Sequence, residues 1–379
     1  MKGAYFHLMA KPSSFHCNIL CEYCFYLEKA PVVTDNQFMT SETLRNYVKN
    51  YIESHAGNQV HFAWQGGEPT LMGLDFFKQA VAFQQQFANG KTITNAFQTN
   101  GIALNRQWAE FFFQHRFLLG ISIDGLSEVH NRYRISVNGQ PTFERVRRSI
   151  DLLKEFQVDF NTLTVVNDQN WDKGRETYLA LKELGSTFMQ FIPIVENFDI
   201  NDCSLHKTTS FSVPREGFGR FLVDVFDEWQ KGDQGKIFVL EFDNLLGQWL
   251  GYPSSNCVHQ PTCGTSLITE ANGDVYACDH FVYPEYKIGN LNQQSLAELV
   301  HSEKQQKFGQ AKQTELTRLC LSCDVYSLCR GGCPKHRSIQ IENEPFRHNY
   351  LCPSYQLFFR HTAAFMRKQR DQIRFGHAV

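Results

Sequence analysis

Residues 17–24 read Cys-Asn-Ile-Leu-Cys-Glu-Tyr-Cys and place three thiols, those of Cys17, Cys21 and Cys24, in one short stretch. Thiolates are the usual protein ligands of iron–sulfur clusters, and a cubane cluster contains four irons. Three cysteine ligands would leave one iron open to an external ligand, as a catalytic zinc keeps one position free. The spacing C-x3-C-x2-C, directly after a predicted strand, favours such a cluster over a zinc knuckle completed by His16 or over buried structural cysteines.

The other cysteines are unevenly distributed along the chain of 379 residues. Of the twelve in total, one stands alone at Cys203 and eight follow residue 250. These eight are Cys257, Cys263, Cys278, Cys320, Cys323, Cys329, Cys333 and Cys352. Disulfides suit small secreted frameworks, whereas closely spaced cysteines in a reducing cytosol are typical of metal or cluster ligands. Eight thiols make two sets of four, which suits a pair of clusters or, alternatively, a pair of structural zinc sites.

Length and charge narrow the class of protein further. Lys and Arg number 37 and Asp and Glu number 39, so the formal net charge of −2 argues against a nucleic-acid protein that relies on bulk positive charge. No stretch approaches the roughly 20 apolar residues that a spanning helix needs. The N-terminus has no apolar run before Lys11 that would make a signal peptide. We therefore expect a cytoplasmic protein without nucleic-acid or membrane partners.

Residues 4 to about 195 alternate between short apolar runs and helical patterns. The predicted strands are Tyr5–Met9, Val60–Trp64, Thr92–Gln98, Phe117–Ile123, Phe160–Val166 and Phe188–Ile192. The predicted helices lie near Ser41–Glu53, Leu74–Phe87, Asn105–His115, Phe143–Phe156 and Trp171–Leu184, with Thr40 and Asn105 at two of the starts. This alternation implies parallel strands with crossover helices. Six such units predict the α/β class and an open or partial barrel.

A further helix, near residues 213–230, ends at the polar stretch Lys231–Gly235, which has the composition of a linker. Beyond it the alternation stops, and residues 250–352 are predicted to be rich in loops. Asn272-Gly273 is a strong hairpin signal between two short apolar runs, and a final helix is expected near residues 354–370. We therefore predict one domain over residues 1–235 and a second over residues 236–379.

The N-terminal cysteine motif resembles that of radical S-adenosylmethionine (SAM) enzymes, in which SAM chelates the open iron. The partial barrel of that family agrees with the six predicted units. Gln65-Gly66-Gly67-Glu68-Pro69 follows the second strand and resembles the glycine-rich turn of the family, which contacts the SAM amino group. Glycine lets the backbone approach a ligand closely and accepts a positive φ. Residues 98–101 and 122–125 end the next two strands at the face where barrel enzymes keep their chemistry, although each alone could be a polar loop.

The eight later cysteines resemble the SPASM extension of radical SAM proteins, which carries two auxiliary [4Fe–4S] clusters. In the related anaerobic sulfatase-maturating enzymes, each auxiliary cluster has four cysteine ligands. By position, the resemblance implies that the first cluster is held by Cys257, Cys263, Cys278 and Cys333. It implies that the second is held by Cys320, Cys323, Cys329 and Cys352. Cys203 matches no ligand position and is expected to be a packed or surface thiol.

Further stretches, 62–70, 98–101 and 275–279, are similar to the same subfamily. Asp279 matches its proposed catalytic base, although a solvated acid after a hairpin is the alternative. The implied substrate pocket contains Tyr26, Gln65 and Gln98. The implied SAM contacts are Tyr23, Gly66, Gly67, Glu68, Ser122, Arg134 and Val195. Val195 replaces an expected leucine, but a backbone contact would survive that change.

The resemblance implies a maturase that oxidises a Cys or Ser of a sulfatase to Cα-formylglycine with three [4Fe–4S] clusters and SAM. A 5′-deoxyadenosyl radical would take hydrogen from the substrate β-carbon, and Asp279 would take the proton. The expected partners are an unfolded or nascent sulfatase polypeptide and a reducing electron donor such as flavodoxin or ferredoxin, and the chain is expected to be a monomer. The alternatives are a SPASM maturase of another ribosomal peptide, a non-catalytic multi-cluster electron carrier, and a zinc-stapled binding module.

Overall fold

Six strands along the chain are each followed by a helix, as the alternation of apolar patterns predicted. A computed structural model describes residues 3–29, 38–196 and 208–376. Among these residues the strands are β1 (His7–Lys11), β2 (Ile19–Cys21), β3 (Gln59–Trp64), β4 (Thr92–Thr99), β5 (Leu118–Ser122), β6 (Arg134–Ser136), β7 (Phe160–Val166), β8 (Phe188–Pro193), β9 (Phe238–Val239), β10 (Ser266–Glu270), β11 (Asp274–Tyr276), β12 (Lys287–Asn290), β13 (Arg337–Ile339) and β14 (His348–Asn349). The helices are α1 (Ser41–Ser54), α2 (Leu74–Phe87), α3 (Arg106–Gln114), α4 (Ser127–Tyr133), α5 (Phe143–Glu155), α6 (Gly174–Glu183), α7 (Gly217–Trp229), α8 (Leu240–Leu250), α9 (Leu296–Val300), α10 (Glu303–Thr314), α11 (Arg318–Leu321), α12 (Tyr326–Cys329) and α13 (Cys352–Phe375).

The chain packs as two units, each assembled from separate segments. The first unit contains Met1–Ser122, His130–Asn161 and Gly264–Gln310. The second contains Ile123–Val129, Thr162–Cys263 and Ala311–Val379. Each unit thus combines segments from both predicted domains, 1–235 and 236–379, and that division along the sequence stays a prediction.

The first unit is organised around a sheet in the order β12-β11-β10-β1-β3-β4-β5. Strands β1, β3, β4 and β5 are parallel, and β10 joins β1 in parallel with Lys11 opposite Glu270. The hairpin of β10 and β11 and the next strand, β12, extend the sheet antiparallel. Because parallel strands end at the same edge of a sheet, the residues after β1, β3, β4, β5 and β10 lie along one edge.

The second unit pairs β7, β8 and β9 in parallel and covers them with long helices. Helix α7 packs so closely on α13 that a Cβ at Gly219 would lie 2.4 Å from the carbonyl oxygen of Ser354. The ring of Phe226 in α7 packs edge-on against Phe242 of α8 and Phe365 of α13, with centroids 5.4 and 5.1 Å apart. Aromatic packing of this kind gives the unit its core.

Two predicted helix starts are confirmed by side-chain caps. The Thr40 hydroxyl accepts the backbone N–H of Thr43 at the start of α1, and the Asn105 side chain accepts that of Trp108 at the start of α3. The sequence did not reveal the two-stranded antiparallel sheet of β2 and β6 or helix α8. In residues 250–352 the structure adds the helices α9 to α12 to the predicted loops. No helix in the described ranges has both the length and the apolar character needed to span a membrane.

Candidate active site

The glycine-rich turn after β3 fastens the loop that leads into the N-terminal cysteines. The backbone N–H groups of Gly67 and Glu68 donate to the carbonyl oxygens of Ser14 at 2.7 Å and His16 at 2.8 Å. A Cβ at Gly67 would lie 2.1 Å from the His16 carbonyl oxygen. The sequence suggested that glycine is needed here for approach to a ligand. In the structure the close approach is to the protein's own chain, one residue before Cys17.

The buried side chain of Glu68 joins the ends of β3 and β4. Its Oε1 accepts the backbone N–H of Thr70 at 3.1 Å and the hydroxyls of Thr70 and Thr99, each at 2.7 Å. Its Oε2 accepts the backbone N–H of Asn100 at 2.8 Å. Burial raises the pKa of Glu68, and these hydrogen bonds oppose that rise. Glu68 therefore has a positioning role within the site, and its contact with SAM stays a prediction.

The thiols of Cys17, Cys21 and Cys24 are all free of disulfides and suit ligation of a cluster. Burial raises the pKa of Cys17 to about 11, and Cys24 is close enough for its charge to add to that rise. Burial also raises the pKa of Cys24, while the positive charge of Arg134 opposes the rise. The side-chain amide nitrogen of Asn100 lies 3.7 Å from the Cys17 sulfur. Such buried thiols ionise when a metal displaces their protons, which is the behaviour expected of cluster ligands.

The two-stranded sheet of β2 and β6 brings predicted SAM contacts to the cysteine motif. Arg134 lies opposite Cys21 in the antiparallel register of this sheet. The Arg134 guanidinium lies over the Tyr23 ring, 5.4 Å from its centroid, and both side chains are buried. Ser122 ends β5 in the same unit and is 8% exposed. The structure thus places Tyr23 and Arg134 together beside the cysteines, and their contact with SAM stays a prediction.

The predicted base and all three predicted pocket residues gather around one buried lysine. The Lys11 ammonium nitrogen lies 2.7 Å from Oδ1 of Asp279 and 3.0 Å from the amide oxygen of Gln65. It also lies over the ring of Tyr26, 4.6 Å from the centroid. The Gln65 amide nitrogen donates to the amide oxygen of Gln98. The site therefore combines a carboxylate, an ammonium, two amides and a phenol in the first unit.

Glu270 completes this group from the end of β10. The Tyr26 hydroxyl donates to Oε1 of Glu270, which is fully buried. Burial raises the pKa of both groups, while the charge of Lys11 lowers that of Glu270. Sequence reasoning missed Lys11 and Glu270. A polar residue ending each of two apolar strand patterns was the available signal, because such ends face the active edge of a parallel sheet.

The cysteine loop is held against the hairpin that carries Asp279. Tyr26 packs with Ile268, Tyr276 and Val282 in a buried cluster, against which the partly buried Phe25 also rests. The ring of His280, next to Asp279, stacks on Phe25 with centroids 5.4 Å apart, which further ties the loop to this hairpin. Aromatic and aliphatic packing therefore fixes the distance between the cysteine motif and the predicted base.

In the second unit, seven cysteines form two groups. Burial raises the pKa of Cys333 to about 12, and the nearby charges of Cys257 and Cys263 add to the rise. Burial also raises the pKa of Cys257 and Cys263, while the positive charge of Lys312, whose ammonium lies 2.9 Å from the carbonyl oxygen of Val258, opposes that rise. These three cysteines belong to the set predicted for the first auxiliary cluster. Its fourth predicted member, Cys278, follows β11 in the first unit.

The second group contains all four cysteines predicted for the second auxiliary cluster. Burial raises the pKa of Cys329 to about 12, and the charges of Cys352, Cys320 and Cys323 add to the rise. The side-chain nitrogen of Gln356 lies 3.6 Å from the Cys323 sulfur. Across residues 3–29, 38–196 and 208–376, no three His, Cys, Asp or Glu side chains are arranged around a single metal ion. The ligand sets themselves stay predictions.

One further predicted SAM contact, Val195, follows the last strand of the barrel pattern. Val195 is buried just after β8, and the next residue, Glu196, forms an ion pair with Lys335 at 3.0 Å within the second unit. Val195 as a SAM contact stays a prediction. Cys203 lies outside the described residues.

Comparisons with known proteins agree with this geometry. A model of the radical SAM superfamily matches residues 12–181, and a model of an iron–sulfur cluster-binding domain, SPASM, matches residues 260–324. A serine-type anaerobic sulfatase-maturating enzyme from Bacteroides thetaiotaomicron is 42% identical over 97% of this chain and 92% of its own length. A cysteine-type enzyme from Clostridium perfringens is 33% identical over 93% of this chain and 95% of its own. The structure of native anSMEcpe with bound AdoMet and Cp18Cys peptide has a TM-score of 0.86 at 31% identity and covers 97% of this chain and 99% of that one.

Proposed function

This chain belongs to the family of anaerobic sulfatase-maturating enzymes, and we propose that it oxidises a Cys or Ser residue of a sulfatase polypeptide to Cα-formylglycine. The observation that carries the proposal is the group of Lys11, Asp279, Gln65 and Tyr26, because it places a carboxylate and hydrogen-bonding side chains in one pocket beside the three-cysteine loop. The fold is the α/β partial barrel of that family, followed by its SPASM domain.

The cofactors are three [4Fe–4S] clusters and SAM. When bound, the N-terminal cluster and SAM supply a 5′-deoxyadenosyl radical that can remove a hydrogen atom from carbon. We propose that Cys17, Cys21 and Cys24 hold this cluster. The first auxiliary cluster would be held by Cys257, Cys263, Cys278 and Cys333, and the second by Cys320, Cys323, Cys329 and Cys352.

The protein's own part in the oxidation is to orient the substrate and to accept a proton. Conversion of a serine or cysteine side chain to the aldehyde level removes a hydrogen atom from Cβ, a proton from the hydroxyl or thiol, and one electron, for which an auxiliary cluster would be the acceptor. The thioaldehyde formed from a cysteine would then be hydrolysed to the aldehyde with loss of hydrogen sulfide. We propose that the carboxylate of Asp279 accepts that proton. Tyr26 and Gln65 would hold the reacting side chain, since the Tyr26 ring and the Gln65 amide oxygen both contact the ammonium that pairs with the Asp279 carboxylate. A base must lie within hydrogen-bond reach of the proton it takes.

The test is an anaerobic assay of the iron-loaded enzyme with a short sulfatase-like peptide, read by mass spectrometry. A serine peptide is the first choice, because the serine-type relative is 42% identical and the cysteine-type relative 33%. Asp279→Asn keeps the size of the side chain but removes the base. We expect aldehyde formation to fall by about 10²–10⁴-fold, while SAM cleavage and iron content remain.

A matched control for this variant lies on the same hairpin. Asp274 is an acid of β11 whose Oδ1 lies 2.7 Å from the ammonium of Lys287, an ion pair like that of Asp279 but away from the pocket. Asp274→Asn should oxidise the peptide as the parent does. A parallel fall of SAM cleavage and peptide oxidation in Asp279→Asn would give Asp279 a structural role. A parent enzyme that cleaves SAM but oxidises neither a serine nor a cysteine form of the sulfatase-like peptide would point to a maturase of another peptide.

The same proposal includes the substrate polypeptide, the electron donor, the oligomeric state and the cellular location. We expect a cytoplasmic monomer that acts on unfolded sulfatase polypeptide and accepts electrons from a flavodoxin or ferredoxin. Sedimentation of the anaerobic protein tests the monomer. Reduction of the clusters by each purified donor, followed by visible absorbance, tests the electron source.

A further inference from the structure

Lys11 is a charged side chain that is almost entirely removed from solvent. Its side chain is 1% exposed, and it ends β1 opposite Glu270 of β10. A buried ammonium costs free energy unless it is paired and hydrogen-bonded. Lys11 meets this requirement with side chains: the carboxylate of Asp279, the amide oxygen of Gln65 and the face of the Tyr26 ring.

The partners of Lys11 come from different parts of the chain. Gln65 follows β3, on one side of β1, and its backbone N–H donates to Ala10. Glu270 lies opposite Lys11 in β10, on the other side. Asp279 begins a short helical turn after β11. One ammonium group therefore fixes the relative positions of side chains that no single element could hold together.

Another partly buried lysine of the same unit shows what a purely structural role looks like. The ammonium of Lys91 donates to two backbone carbonyl oxygens, those of Ile52 and His55. Those carbonyl oxygens belong to the backbone at the end of helix α1, so the contact orients no side chain. Lys11, in contrast, orients the carboxylate of Asp279 and the amide of Gln65, and the directions of these groups determine which polar atoms a bound substrate can contact.

We propose that Lys11 is a positioning residue for the oxidation, acting through Asp279 and Gln65. Its ammonium holds the carboxylate and the amide oxygen at one point, so that the hydroxyl or thiol of the substrate meets the base in a fixed direction. Glu270 acts similarly on Tyr26 by accepting its hydroxyl hydrogen. The proposal rests on the proposed function and assigns no part in SAM cleavage to Lys11 or Glu270.

The test compares Lys11→Met, Lys11→Arg and Asp279→Asn with the double variant Lys11→Met/Asp279→Asn, all with iron restored anaerobically. Iron content, 5′-deoxyadenosine and peptide aldehyde are measured at saturating peptide. We expect Lys11→Met to keep its iron and to cleave SAM, while aldehyde formed per 5′-deoxyadenosine falls about 10²-fold, the cost of a misplaced reacting group. Lys11→Arg keeps the positive charge and should recover part of this loss. Lys91→Met, the control, should match the parent in all three measurements.

The double variant separates positioning from simple structural support. If Lys11 acts through Asp279, the double variant should form no less aldehyde than Asp279→Asn alone, because the two changes remove the same interaction. It also removes both charges of the Lys11–Asp279 ion pair, so that neither of these two groups is left charged without its partner, which keeps the test valid if Lys11→Met is insoluble.

Three results would overturn the proposal for Lys11. In the first, the losses of aldehyde formation in the two single variants multiply in the double variant. In the second, Lys11→Met loses SAM cleavage and aldehyde formation equally. In the third, Lys11→Met forms as much aldehyde as the parent. Each of these leaves the proposed function intact as long as the parent enzyme oxidises the peptide. A parent enzyme that cleaves SAM without oxidising any peptide contradicts the proposed function, and the role of Lys11 with it.

Discussion

Gly67 shows how a single missing side chain can decide whether a cluster loop forms. With the His16 carbonyl oxygen 2.1 Å from where a Cβ would be, Gly67→Ala must displace the backbone just before Cys17. Overpacking of this kind typically costs about 1–3 kcal/mol. We expect the variant to unfold at a lower temperature and to bind about four fewer irons, the content of one [4Fe–4S] cluster.

Gly247 supplies the control for that variant, since a Cβ there would meet no atom within 4 Å. It lies inside α8, where replacement of glycine by alanine removes backbone freedom from the unfolded chain. Gly247→Ala should therefore keep its full iron content and be at least as stable as the parent. Equal behaviour of the two variants in thermal unfolding and iron analysis would show that the turn tolerates a side chain.

Glu241 gives a pH dependence that can be measured without substrate. Burial raises the pKa of this carboxyl from 4.5 to about 8, and its Oε2 is buried without a hydrogen-bond partner. Between these values the unfolded carboxyl is ionised while the folded one keeps its proton, so unfolding releases a proton. The free energy of unfolding should therefore fall as the pH rises from 4.5 to 8.

Glu241→Gln removes this dependence and leaves a neutral side chain of the same size. We expect the variant to be more stable than the parent at pH 8, by a few kcal/mol on the order given by a shift of this size. The difference should vanish near pH 4, and thermal unfolding across the pH range measures it. Glu183→Gln, at the exposed end of α6, should show no such change; a gain at pH 8 shared by both variants would trace the effect to net charge.

Only some residues of the candidate site could be predicted from the sequence. The spacing of the cysteines is a local property of the chain and predicted the cluster ligands, whereas Asp279, Tyr26 and Gln65 were predicted from the resemblance to sulfatase-maturating enzymes. Lys11 was missed because a lysine after an apolar run ends the pattern of a buried strand, and the predicted strand stopped at Met9. Its partner Asp279 lies far away in sequence, so only the folded chain shows that the charge is buried and paired.

Helix α10 carries a buried lysine beside cysteines that are predicted to hold the first auxiliary cluster. Its residue Lys312 is fully buried, and its ammonium donates to backbone carbonyls at Cys257 and Val258. A positive charge at this point would offset the negative charge of the thiolates that we propose as cluster ligands. Lys312→Met should lower the iron content by about four atoms, one [4Fe–4S] cluster, and the visible absorbance should fall in proportion.

Lys307, exposed on the same helix, provides the comparison. Lys307→Met should bind iron like the parent, because its side chain faces solvent. Retention of the full iron content by Lys312→Met would show that cluster binding needs neither this charge nor its hydrogen bonds to the two carbonyls.

The predictability of elements followed their length and amphipathic character. Strands β3, β4 and β7 and helices α1 and α2 were found to within two residues at each end, since each carries a clear apolar face. Helix α10 has few apolar residues, and β2 and β6 have three residues each, so hydrophobic periodicity had little to act on. The pairing of β10 with β1 joins distant segments and is outside the reach of any local pattern.

Over the whole molecule, the cysteine sets predict a division of labour that iron analysis can test. Replacing Cys17, Cys21 and Cys24 together by alanine should leave about eight irons, those of two auxiliary [4Fe–4S] clusters. Formation of 5′-deoxyadenosine should stop, because the open iron that binds SAM is lost. Cys203→Ala, which changes a thiol outside all three sets, should behave as the parent; SAM cleavage by the triple variant would contradict the assignment.

The parallel pairing of β1 with β10 also determines how late in synthesis the sheet of the first unit can be completed. His7 leaves the ribosome early, yet the strand that covers that edge of β1 begins at Ser266. Until then the edge is open to other strands, which is a known route to aggregation. Lys11 can contact Glu270 and Asp279 only once those residues have been synthesised. The pocket is therefore complete only after most of the chain has been translated. A truncated product lacking this hairpin would carry the three N-terminal thiols without the carboxylates that complete the site.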